Sequence, residues 1–261
     1  MTIVESIFLG ALQGLTEFLP VSSSAHLIVV PWIMKINDGG INKLTFDVLL
    51  HFGTLAAILG VYGRKFVQVV VEGLVDLKDG KFMRSLLAKM VVATVPAAVL
   101  GVVCKPFIEG YLRTPQVAVV ALIAVSVLMI VAERLPTNRK DISLSFALVV
   151  GFAQACALIP GTSRSGITIA VAMLLGLKRK NAVDFSFLLS IPIILGTALY
   201  EGRHFNYGGN DGIIYLAGVL SAFFFGFLSL RFLIRYLAAH SLDLFSCYRM
   251  GLAALILFLS L

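Results

Sequence analysis

Long apolar stretches alternate along this chain with short segments rich in lysine and arginine. Six of them, 44–62, 86–104, 114–132, 183–200, 212–230 and 244–261, approach the ~20 apolar residues that a membrane-spanning helix needs. The stretches 114–132 and 212–230 hold no charged residue, whereas the others carry Asp47 and His51, Lys89, Asp184 or Arg249. Period-two alternation of the strand type is absent, which argues against a β-barrel. The pattern predicts an all-α polytopic membrane protein.

Two further apolar regions are broken at their centres. Residues 6–34 are interrupted by Glu17, Pro20 and Ser22-Ser23-Ser24, and residues 142–177 by Pro160-Gly161-Thr162-Ser163-Arg164-Ser165-Gly166. The halves are mostly too short to cross a bilayer alone, and interrupted segments in corresponding halves of a chain predict re-entrant helical hairpins meeting near the midplane. The correspondence is visible in the residues. Gly10-Ala-Leu-Gln13 recurs as Gly151-Phe-Ala-Gln154, Phe18-Leu19-Pro20 as Leu158-Ile159-Pro160, and Phe46-Asp-Val-Leu-Leu50 as Phe185-Ser-Phe-Leu-Leu189, at shifts of 141, 140 and 139. The chain thus reads as one integral membrane domain over 1–261, with repeats at about 1–133 and 142–261.

Composition agrees with a membrane protein. Of the 261 residues 59% are hydrophobic and 13% charged, against roughly 45–50% and 25% in soluble domains, and the mean hydropathy is +0.98. A soluble enzyme, a disordered chain and a nucleic-acid binder are excluded. The net charge of +7 is first an orientation signal. The segments 63–85, 133–142 and 178–180, with Arg231 and Arg235, hold 13 of the 21 basic residues, against five in 35–43, 105–113 and 201–211. The first group is therefore expected in the cytoplasm, with both termini outside and the two repeats inverted relative to one another. Cys104, Cys156 and Cys247 are far apart in apolar sequence and read as buried small hydrophobes, without a metal or disulfide pattern. The N-terminus lacks the basic region and cleavage site of a removable signal peptide.

The two breaks concentrate the chemistry. In the first, Gln13 and Glu17 fall on one helical face, Pro20 ends that helix, and a new one is expected to start at Ser22 or Ser23, with Ser23 and His26 on one side of its first turn. In the second, Pro160-Gly161 closes one half-helix, and Thr162, Ser163, Arg164 and Ser165 open the next, with Thr168 one turn on. Amide groups and dipole at a helix start favour an anion, and arginine adds a charged fork suited to phosphate oxygens. An arginine in mid-membrane costs about 3 kcal/mol on insertion scales. It needs a partner, and Glu17 is the natural one. Serines in membrane helices often only bond back to the helix, but three in a row between proline and histidine point to a site. His51 and His240 read as packing or interfacial residues, and Asp47 and Asp184 as structural carboxylates near helix starts.

Gln13-Gly-Leu-Thr-Glu17-Phe-Leu-Pro-Val-Ser-Ser-Ser-Ala-His26 together with Pro160-Gly-Thr-Ser-Arg164-Ser-Gly166 resembles the signature pair of the bacterial undecaprenyl-diphosphate phosphatases of the bacitracin-resistance type. The resemblance implies hydrolysis of undecaprenyl diphosphate to the monophosphate and inorganic phosphate, which recycles the lipid carrier of peptidoglycan synthesis in the bacterial inner membrane. It implies catalytic roles for Glu17, Ser23, His26 and Arg164 and dependence on Mg²⁺ or Ca²⁺; substrate contacts are expected from Gln13, Ser22, Ser24, Thr162, Ser163, Ser165 and Thr168, with Glu17 as general base or metal ligand. Position 13 is Gln where Glu is commoner, which weighs against a mechanism needing two carboxylates, and Ala25 stands where glycine is common. The expected partners are a polyprenyl diphosphate and membrane lipid, with no nucleic acid; a homodimer is left open. The site is expected to open to the outer side. Whether Ser23, His26 or water attacks, and whether Glu17 is base or metal ligand, the residues leave open. An inverted repeat with an anion site also suits a lipid-phosphate or anion transporter or flippase; the hydroxyl and imidazole of Ser23 and His26 favour an enzyme, because a carrier needs no nucleophile.

Overall fold

The computed structural model describes residues 1–34, 43–139, 141–202 and 212–259, without the side chains of Trp32, 43–45, Asp47, Glu109 and 201–202. Lys140, nearly all of the segments 35–43 and 201–211 and the side chain of Asp47, on which sequence expectations rest, lie outside the described residues. The described elements are helical: α1 (Ile3–Phe18), α2 (Ser23–Met34), α3 (Lys43–Lys78), a 3₁₀ turn (Phe82–Arg84), α4 (Leu86–Val103), the single turn α5 (Lys105–Phe107) running into a wide turn (Ile108–Leu112), α6 (Pro115–Arg134), α7 (Leu144–Cys156), α8 (Arg164–Leu174), α9 (Arg179–Gly202), α10 (Gly212–Ala239) and α11 (Asp243–Leu259). Five of them, α3, α4, α6, α9 and α10, are long and apolar enough to cross a membrane. The protein is a multi-pass membrane protein. The helix at the sixth predicted stretch, α11, has 17 residues.

Two helices outrun their predicted spans. The reading of 44–62 as a span puts Arg64, Lys65 and Lys78 in a loop, yet α3 continues for 36 residues to Lys78, about 54 Å against a hydrocarbon core of about 30 Å. No proline stops it. Its later part is also held by packing: Val69 is buried, and Gly73 sits against the Leu87 side chain of α4. Likewise α10 runs through Arg231 and Arg235 to Ala239. These basic residues lie on helices rather than in loops. The cysteines also differ from expectation. Cys104 is half-buried, and Cys156 and Cys247 are exposed, because the outer face of a membrane protein is itself apolar and small hydrophobes carry no penalty there.

The helices pair through small residues, which allow close backbone approach. α1 lies along α10, where a Cβ on Gly10 would stand 2.3 Å from the Gly218 carbonyl oxygen. Across the same contact Ser221 donates to the Ile7 carbonyl (2.7 Å) and Ser229 to that of Gly14 (2.8 Å). In the other half α7 lies along α4, with Gly151 against Ala93 and Gln154 donating to the Ala93 carbonyl at 3.4 Å. At one end of the bundle Glu133 pairs with Arg179 and accepts from the Leu242 amide, Arg134 pairs with Asp243 (3.1 Å), and the Arg139 amide bonds the Gly176 carbonyl (2.8 Å). The segments following α6, α8 and α10 therefore share one end. Asp184, read as a carboxylate near a helix start, lies in the second turn of α9. It accepts from Tyr62 and Lys65, each at 2.8 Å, and ties α9 to α3.

Candidate active site at the two helix breaks

Each break is a short turn between two half-helices. Proline lacks an amide donor and restricts the residue before it, so α1 stops at Phe18 with Leu19 already extended. Ser22 then turns with φ +75°, and its hydroxyl accepts from the Ala25 amide (3.4 Å), capping α2, which starts at Ser23 within the predicted pair of positions. In the second break Gly161 has φ +92° and lies so close to α6 that a Cβ would stand 2.3 Å from the Ala118 carbonyl oxygen; only glycine fits. Ser163, at φ +66°, caps α8 by accepting from the Gly166 amide (3.3 Å).

The two turns touch. Ser24 Oγ accepts from the Gly161 amide and Ser165 Oγ donates to the Leu19 carbonyl, both at 3.3 Å. Between them, Glu17 and Arg164 meet. Arg164 Nη2 donates to Glu17 Oε1 at 2.8 Å, while Glu17 Oε2 accepts from Gln13 Nε2 (3.0 Å) and Ser23 Oγ (2.9 Å). His51 Nε2 stands 3.8 Å from the same oxygen. Residues from four helices, with both breaks represented, thus surround one carboxylate. Two buried polar atoms of this cluster have no hydrogen-bond partner, Arg164 Nη1 and Gln13 Oε1. A buried donor on a permanent cation is costly to leave unpaired. Here it is an available donor for an anionic oxygen.

The other predicted residues divide. His26 is not paired with Ser23. Its Nδ1 lies 2.7 Å from the Ser22 carbonyl, which only accepts, so Nδ1 carries the proton and Nε2 accepts from the Tyr248 hydroxyl at 2.7 Å. Ser22, Ser24, Ser163 and Ser165 bond within and across the turns: Ser22 Oγ lies 3.1 Å from Ser24 Oγ, and Ser163 Oγ 3.3 Å from Ser165 Oγ. Thr162 is buried with its carbonyl turned to Arg249. Thr168 faces away from the cluster. Its hydroxyl donates to the Arg164 carbonyl (2.7 Å) and lies 2.6 Å from Ser186 Oγ of α9, because one turn of helix carries it behind the break. Sequence reasoning missed three residues here: His51, read as a packing or interfacial residue, and Tyr248 and Arg249 of α11. The signal for Arg249 was present, a lone arginine in an apolar span; for His51 no local pattern links position 51 to position 17.

A cavity of about 400 Å³ reaches the breaks, lined by Ser24, His51 and Pro160, and by Lys105, Arg113 and Tyr200 from the segment after α4 and the end of α9. Its remaining walls are mostly aliphatic. The donor set does not fit a resident divalent cation. Glu17 is one carboxylate with both oxygens already engaged by a guanidinium, an amide and a hydroxyl, and among the described residues no three His, Cys, Asp or Glu side chains cluster.

Comparison with known proteins agrees over the whole length. The family described as Bacitracin resistance protein BacA matches residues 6–255. A protein of Moorella thermoacetica named undecaprenyl-diphosphatase is 41% identical over 261 residues, covering 98% of this chain and 97% of its own. Proteins of the same name from Elusimicrobium minutum (38%, covering 100% of this chain and 99% of its own) and Thermodesulfovibrio yellowstonii (39%, 98% and 96%) are similarly close. With both breaks inside the matched region and the match running nearly end to end, the chain belongs to the bacitracin resistance protein BacA family.

Proposed function

We propose that this protein hydrolyses undecaprenyl diphosphate to undecaprenyl phosphate and inorganic phosphate in the bacterial inner membrane. The observation that carries the reading is Arg164: a largely buried cation with one terminal nitrogen on Glu17 and the other, Nη1, buried without a partner, at the start of a helix. The relatives' shared name supports it. In this reading Arg164 Nη1 and the amide-rich starts of α2 and α8 hold the phosphoryl oxygens, since positioning and electrostatics dominate phosphoryl transfer. Ser23 donates to Glu17, the arrangement of an alcohol with its general base. Ser23 Oγ attacks the terminal phosphorus as its proton passes to Glu17. The bond to the bridging oxygen breaks, and undecaprenyl phosphate leaves with the electron pair and that proton. Water then attacks the phosphoserine, Glu17 taking the water proton and returning one to Ser23. His26, held between Ser22 and Tyr248, shapes the turn rather than serving as the base. Any divalent cation is left to the substrate's own phosphates, as Mg²⁺ is commonly carried.

The aliphatic cavity is assigned to the first isoprene units. Lys105 and Arg113 at its lining lie in a segment that the charge distribution places outside, which supports an outward-opening site. The paired contacts of α1 with α10 and of α7 with α4 support the inverted repeat, with the hairpins α1–α2 and α7–α8 re-entrant. A carrier would gain nothing from a serine hydroxyl set on a carboxylate. The test is phosphate release by the purified protein from a polyprenyl diphosphate, with acid quenching to trap a phosphoenzyme. Turnover with a base-labile phosphoserine lost in Ser23→Ala is expected; turnover retained in Ser23→Ala rejects the assigned nucleophile. Orientation is tested by cysteine labelling in intact cells. An impermeant reagent is expected to reach Arg113→Cys and not Asp79→Cys, and the opposite result reverses the topology.

A further inference from the structure

Arg249 of α11 is fully buried, yet among the described residues its hydrogen bonds all go to neutral oxygens. Nε donates to Ser126 Oγ of α6 (3.1 Å), and Nη1 to the Pro20 carbonyl of the first break (3.3 Å). Nη2 is shared among the Gly161 (2.9 Å) and Thr162 (3.1 Å) carbonyls of the second break and those of Ala121 and Leu122 on α6 (3.3 Å each). A buried guanidinium without a hydrogen-bonded carboxylate is costly, so its placement calls for a reason. Its acceptors supply one. Pro20, Gly161 and Thr162 follow the ends of α1 and α7, where backbone carbonyls have lost their helical donors and must find others. One fork satisfies both breaks and pins them to α6.

We infer that Arg249 is a positioning residue that clamps the two helix breaks together, holding Glu17 of one against Arg164 of the other. Pro20 lies three residues from Glu17, and Gly161 and Thr162 lie three and two residues from Arg164. A shift of either turn therefore moves the carboxylate and guanidinium of the site directly. Elsewhere broken membrane helices use their exposed carbonyls to hold a mobile cation. Here the cation is tethered to α11 and cannot leave, so the crossing of the breaks is fixed rather than switched by an ion. Lysine would keep the charge and lose the fork, reaching fewer of these carbonyls at once.

Two arms test the clamp, the activity arm resting on the phosphatase reading and the exchange arm independent of it. In Arg249→Lys, kcat for a polyprenyl diphosphate is expected to fall by roughly 30-fold with KM within about threefold, because a site misplaced by ~1 Å loses about 100-fold in rate. Ser126→Ala, which removes one acceptor and touches neither break, is expected to lose about threefold in kcat. On an Arg164→Ala background, Arg249→Lys should cost nothing further, since residues acting as one unit are not additive. A purely structural arginine would instead lower both backgrounds alike. Amide hydrogen exchange followed by mass spectrometry should rise in Arg249→Lys in peptides covering 19–24 and 158–166 together, with α9 unchanged. Wild-type kcat in Arg249→Lys, a full additional loss on the Arg164→Ala background, or exchange unchanged at either break overturns the proposal. A wild-type protein that releases no phosphate rejects the phosphatase reading instead, and the exchange result still decides the clamp.

Discussion

The two helix breaks resemble each other in sequence and differ in chemistry. Gln13 and Gln154 close the matching tetrads Gly10–Gln13 and Gly151–Gln154, and four residues on from them stand Glu17 and Leu158 respectively. Gln13 donates to Glu17, whereas Gln154 donates to the backbone of Ala93. Where the first break places a carboxylate with a serine on it, the second has an aliphatic residue and supplies a guanidinium further on. In the proposed reaction the first break takes up protons and the second holds charge. Two breaks that each carried both chemistries would bury two carboxylates and two guanidiniums; dividing them leaves one pair, Arg164 on Glu17 at 2.8 Å, with Arg164 Nη1 to spare.

Four tests would break or sharpen that division. The largest effect is expected at the shared pair. Arg164→Ala should lower phosphate release by about 10³-fold, at the upper end for loss of a donor to a developing oxyanion, and near-normal release would end its assignment. Ser23→Ala should cost about 10²-fold in kcat while diphosphate affinity, measured with a non-hydrolysable analogue, stays within about threefold, because the nucleophile contributes to chemistry more than to binding. Equal mild losses from Ser22→Ala, Ser23→Ala and Ser24→Ala would make the serine run a hydrogen-bonding cradle and shift the attack to water. Arg164→Lys should fall by roughly tenfold, charge kept and fork lost, which phosphate-release kinetics at saturating substrate will read. The smallest effect tests the glutamines against each other. Gln13→Ala is expected to lower kcat about fivefold by removing one of the two donors on Glu17 Oε2, and Gln154→Ala to leave kcat unchanged while lowering the melting temperature. The reverse order would mean that the second break, not the first, carries the chemistry.

His26 shows how far local spacing leads. Three residues after Ser23, it reads as the partner of that serine, and helical geometry does put both in the first turn of α2. The serine nevertheless turns to Glu17 and the imidazole to Tyr248, 222 residues away. Spacing along one helix fixes which residues share a turn. Which of several neighbours each bonds depends on what other helices present, and Tyr248 comes from α11.

What the sequence determined by itself was whatever depends on local physics or on the chain's own composition. Twenty apolar residues in a row must leave water, proline must end a helix, and serine after it must cap the next, so the two breaks and the start of α2 were legible. Glu17 and Arg164 were legible as partners because neither charge is tolerable alone in an apolar medium. The tertiary structure decided the rest. The length of α3 was settled by packing against α4 beyond Lys65, and the place of His51 by the way α3 crosses α1. The burden on Arg249 was settled by the meeting of two turns some 140 residues apart in the chain. Each of these rests on contacts between segments whose separation in sequence carries no periodic signal, and only the close packing of small residues between helices brings them within bonding distance.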